Sequence, residues 1–103
     1  MLYIQSAQPR SVEKWDLSEI KFKTAIEARK VVDDLRYQAR QLNYNKDIRK
    51  LLDNADLLVG MLGNAEVRAR QLHKDYMTDK PRQDLAKAID YIEKLLLILR
   101  LTQ

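Results

Sequence analysis

The chain has 103 residues, enough to bury one core and too few for two ordinary domains. Hydrophobic residues make up 46% and charged residues 33%, a folded mixture rather than that of a disordered tail, and the lack of cysteine excludes disulfides and thiolate metal sites. Net charge is only +4, and residues 36–50, "RYQARQLNYNKDIRK", alone carry a surplus of that size in Arg36, Arg40, Lys46, Arg49 and Lys50 against Asp47.

Two glycines and two prolines against abundant Leu, Ala, Lys, Arg, Gln and Asp favour long helices over strands. The expected fold is all-α: an antiparallel bundle of three long helices over residues 18–103, the second kinked or broken near Gly63, with an N-terminal arm over 1–17. The opening "MLYIQSAQPR" lacks the basic and apolar regions of a signal peptide, and no segment approaches the roughly 18 apolar residues of a membrane span. A cytoplasmic, soluble protein with no membrane partner is the expectation.

In the arm, "MLYIQ" reads as an extended piece, Pro9 and Ser11 as a turn, and Trp15 with Leu17 as an anchor to the core. From about Ser18 the period changes. Ala25, Ala28, Val32, Leu35, Ala39 and Leu42 recur at alternating three- and four-residue steps, the seam of a helix packed on another helix. "NYN" at 43–45 ends it, and Asn45 is a natural N-cap for a second helix with Ile48, Leu52, Ala55, Val59 and Leu62 on one face. So short a connection predicts antiparallel neighbours.

Beyond Gly60 and Gly63 the apolar stripe changes phase. The better one becomes Ala65, Ala69, Leu72 and Tyr76, whereas strict continuation would bury Glu66 and His73. Gly63-Asn64 also matches a helix end followed by a cap, hence the expected kink or break. A last helix starts near "TDKPRQD", with Asp79 as cap and Pro81 in its first turn, and carries Leu85, Ala88, Ile89, Ile92, Leu95, Leu96 and Leu99. It is apolar almost all round in "LLLILRL", which one small bundle can hardly cover.

That last run sets the leading functional reading: a non-catalytic interaction module that forms a homo-oligomer or binds a protein partner through Leu95, Leu96, Leu97, Ile98, Leu99 and Leu101. The alternative is nucleic-acid binding by segment 36–50, with Tyr37 and Tyr44 as stacking platforms, and by Arg68, Arg70 and Lys74 in the second basic segment, 68–82. Macrodipole complementarity explains Arg36 and Arg40 without a ligand. Local pairs account for others: Arg36 with Asp33, Arg49 with Asp53, Lys50 with Asp47 and Lys30 with Asp34. Arg40 and Lys46 have no such neighbour. The two basic segments converge only if the chain turns back at Gly63; a continuous helix would hold them roughly 45 Å apart.

Arg68 and His73, with four residues between them, form a spacing that resembles the Arg-X4-His motif of the HEPN superfamily, small and often dimeric all-α domains. The resemblance implies a ribonuclease in which Arg68 orients phosphate and His73 serves as acid or base. It is the third reading, after two non-catalytic ones. The polar residue that commonly follows the motif arginine is Ala69 in this chain. Neither a cofactor nor a metal is expected, since the chain has one histidine, no Glu-X-X-His pair and no Gly-rich loop after a strand.

Overall fold

The computed structural model describes residues 21–102. The expected extended piece, turn, Trp15–Leu17 anchor and helix start near Ser18 lie outside them. Three helices follow in order, α1 (Ala25–Leu42), α2 (Lys46–Leu72) and α3 (Asp79–Leu101), with a 3₁₀ turn at Asp75–Thr78 before the last. The described residues contain no strand.

Contacts between helices fix the directions. The start of α1 meets the end of α2, where the Ala25 amide donates to Glu66 at 2.8 Å, so α1 and α2 are antiparallel. Arg82 bonds to the Lys23 carbonyl at one end and Arg100 to Gln38 at the other, so α3 runs parallel to α1. The result is an up-down-up bundle with α2 antiparallel to both neighbours.

Each helix starts and stops for a local reason. Thr24 caps α1 by accepting from the Glu27 amide, while the Glu27 carboxylate accepts from the Lys23 amide at 2.7 Å. The helix therefore begins at Ala25. At the next boundary Asn43 closes α1 by donating to the Ala39 carbonyl, and the Asn45 side chain accepts from the Ile48 amide at 2.9 Å, as its sequence position predicts. For α3 the cap position is Thr78 instead of Asp79. Asp79 is already helical and pairs with Arg82 at 3.5 Å, and Pro81 does lie in the first turn.

The core is the predicted seam of each helix. Ala25, Ala28, Val32, Leu35 and Ala39 of α1, Ile48, Leu52, Ala55, Val59 and Leu62 of α2, and Leu85, Ile89, Ile92 and Leu96 of α3 are buried. Phe22, just before α1, joins them. Full burial of each large aliphatic stabilises by about 1.5–3 kcal/mol, and alanines in the α1 seam let that helix approach closely.

α2 is continuous through both glycines, so the break expected near Gly63 does not occur and the bundle has three helices. Neither glycine adopts a positive φ. The phase change in the stripe has another cause: Glu66 holds its place in the original seam because its carboxylate caps the first amide of α1. Ala69 restores the seam one turn later, whereas Leu72 and Tyr76 of the rival stripe are exposed and Ala65 is half-buried.

A Cβ on Gly60 would meet open space, and one on Gly63 would sit 3.6 Å from the Ala25 Cβ, an ordinary contact. Gly60→Ala and Gly63→Ala are each expected to raise the unfolding free energy by about 0.8–1 kcal/mol in urea titrations. A loss of stability at either position would contradict the continuous, unstrained α2.

Candidate functional site

The basic stretch divides into two groups once folded. Arg36 on α1 points inward: its guanidinium pairs with Asp56, lies 3.5 Å from Asp53 and donates to the Tyr44 hydroxyl at 2.7 Å. Asp56 also receives Arg29 at 2.7 Å, so one α2 carboxylate ties two α1 arginines. Partial burial works against the Arg36 charge, but the Tyr44 hydroxyl and the Asp56 and Asp53 carboxylates outweigh it and raise its pKa. A raised value means that the guanidinium keeps its charge throughout the ordinary pH range, so its own contribution is full there and is lost only as pH rises beyond the ordinary guanidinium range.

This network overturns several expected pairings. Arg36 is joined to α2 carboxylates rather than to Asp33, and Asp53 serves Arg36 rather than Arg49. Asp34 accepts from Gln38. Among the described residues Lys50–Asp47 and Lys30–Asp34 do not form ion pairs. Arg36 is therefore not available to a polyanion. Sequence spacing finds partners three or four residues apart on one helix, whereas these lie 17 and 20 apart across the bundle.

The second group faces water. The Arg40 and Arg49 guanidinium carbons lie 5.3 and 5.7 Å from the centre of the Tyr44 ring, within the range of attraction between a cation and an aromatic ring. Tyr44 is thus already occupied, at its ring by two arginines and at its hydroxyl by a third, and is not an open stacking platform. Tyr37 is 63% exposed on the same end of α1. Lys46 and Lys50 are exposed.

Arg68, Arg70 and Lys74 lie at the far end of α2. Twenty-seven residues at 1.5 Å each hold the two basic ends about 40 Å apart, so they do not form one cationic face. Arg70 also lines a polar cavity of about 400 Å³ together with Glu66, Asp75, Asp79 and Arg82, acids included.

His73 sits just past the end of α2 with φ 55° and ψ 44°, the sole non-glycine residue with positive φ among those described. Its amide and that of Lys74 both bond to the Ala69 carbonyl, the hydrogen bonding of a left-handed helix terminus. The backbone thus gives His73 a capping role. Arg68 stands five residues back, roughly 140° around the helix axis, so helical geometry does not align the two side chains. His73→Gly is expected to stabilise the fold by about 0.5–1 kcal/mol in chemical denaturation, because glycine reaches this conformation without steric cost. Destabilisation by that change would assign the imidazole a structural contact of its own.

On α3 the six expected interface residues separate. Leu96 is 1% exposed and belongs to the core, so it is not available to a partner. Leu95 and Leu99 are half-buried and pack against the core, whereas Leu97, Ile98 and Leu101 are 50%, 57% and 76% exposed. Tyr91, which the sequence reading missed, is also exposed and continues the Leu95–Ile98 side one turn toward the N-terminus. Its seven-residue spacing from Ile98 was the available signal. Beside it, Ile48, Leu51, Tyr91, Leu95 and Leu99 line an apolar groove of about 620 Å³ between α2 and α3, with Asp47 and Lys50 among its polar lining.

No three His, Cys, Asp or Glu side chains gather into a metal-holding group among the described residues, and no helix there is long and apolar enough to cross a membrane. The structure places the chain among three-helix antiparallel bundles with an incompletely covered last helix. No family model, curated protein or solved structure matches the chain.

Proposed function

We propose that the protein is a small non-catalytic interaction module that associates with a second copy of itself through the outer side of α3. The observation that carries this reading is the exposure of Leu97, Ile98 and Leu101 within two turns, joined through half-buried Leu95 and Leu99 to the groove against α2. Single exposed aliphatics are ordinary, but a contiguous set beside a groove costs solubility unless something covers it. A second copy suits the face because α3 carries both signs beside it: Asp90 and Lys94 pair at 3.0 Å within the helix, and two copies laid antiparallel can exchange these partners.

The absence of cysteine makes a direct test simple. A nitroxide on Lys87→Cys, an exposed position two turns before Lys94 on α3, is expected to show dipolar coupling between labels of two chains. Its absence at concentrations of tens of micromolar would leave the face to a foreign protein.

A further inference from the structure

We propose that the Arg40–Tyr44–Arg49 cluster, contributed by α1, α2 and the connection between them, is a binding site for single-stranded nucleic acid. Three observations meet there. First, the arginines come from different helices, Arg40 from the last turn of α1 and Arg49 from the first turn of α2, and both are held against one ring by the three-residue connection at 43–45. Stacking restricts two long side chains that would otherwise lose considerable rotamer freedom on meeting a ligand. Arg36 fixes the Tyr44 hydroxyl from below, so the platform itself is anchored to Asp56 and Asp53.

Second, these guanidiniums are uncompensated. Asp53 and Asp56 pair with Arg36 and Arg29, and neither Arg40 nor Arg49 has a carboxylate partner among the described residues. Exposed Lys46 and Lys50 add two more cations, against Asp47 alone. A pair of pre-positioned forks with flanking lysines suits phosphate oxygens. The structural explanation for cations at an α1 terminus covers Arg40, but not Arg49, Lys46 and Lys50, which stand at the positive end of the α2 dipole where cations are disfavoured.

Third, Tyr37 is 63% exposed and three residues before Arg40, one turn away on the same side of α1. A bare aromatic beside cations is the arrangement that stacks an unpaired base while the backbone follows the charge. This feature selects a single-stranded polynucleotide over an acidic peptide, which has no planar group for Tyr37. The other basic end, about 40 Å distant, is not needed for the contact.

The test is a fluorescence-anisotropy titration of the full chain with labelled single-stranded RNA and DNA of one sequence, from low to near-physiological salt. Arg40→Gln with Arg49→Gln is expected to weaken binding at least tenfold and to reduce the slope of log affinity against log salt by about 1.4, two cations at 0.7 each. Tyr37→Leu, which leaves every charge in place, is expected to weaken binding severalfold with an unchanged slope. Thermal unfolding of each variant should match the parent, since all three residues are exposed. Binding within twofold of the parent for both variants, or no binding at near-physiological salt, would overturn the proposal. Equal competition by poly-glutamate of matched charge would overturn it too, and assign the cluster to acidic chains at large.

Discussion

Leu96→Glu is expected to abolish cooperative folding, while Ile98→Glu two residues on leaves a cooperatively folding helical chain whose melt falls only by the lost association with a second copy. Leu96 is 1% exposed in the core between the helices, so the substitution removes a packed aliphatic and buries a charge at once. The combined cost exceeds about 4–5 kcal/mol, a large share of what holds a domain of this size together. Within one chain Ile98 lies 57% in solvent, where an added charge changes that chain's own stability by about 0.5 kcal/mol either way. Circular dichroism on heating separates the two outcomes. Equal effects at both positions would mean that α3 is rotated relative to the core described.

Asp56→Ala is the second large effect. It leaves Arg36, the less exposed of the two arginines it serves, with only the more distant Asp53 and the Tyr44 hydroxyl, and frees Arg29 altogether. A loss of about 1–3 kcal/mol is expected, because a partly buried charge loses its principal partner. Pairing this change with Arg36→Met should recover part of the loss, and the double-mutant cycle should give a coupling well above that of exposed ion pairs. A coupling near zero would mean that the network follows from the fold without supporting it.

The helices and their core were legible because amphipathic periodicity is local. The alternation of three- and four-residue steps in α1 and the first half of α2 picked out buried residues almost one for one, and Asn45 announced its cap. What misled was a polar residue in an apolar row. Glu66 read as the end of a seam because its use, accepting the first amide of α1, depends on a residue 41 positions away. The same holds for Arg36, whose local acidic neighbour at Asp33 lost to Asp53 and Asp56 across the bundle. On α3, composition showed that the helix was apolar all round, but only packing could assign Leu96 to the core and Ile98 and Leu101 to the outside. The pairing of Arg40 and Arg49 on Tyr44 had no signature in spacing, since the residues belong to two helices and a connection.

The central claim is that the outer side of α3 joins two copies, and light scattering coupled to size exclusion tests it most directly. The parent chain should give about twice its 12.1 kDa at tens of micromolar, and Ile98→Glu with Leu101→Glu should give the single-chain mass with an unchanged helical spectrum. A parent that stays at the single-chain mass across that range, or a folded double variant that keeps the doubled mass, would contradict it.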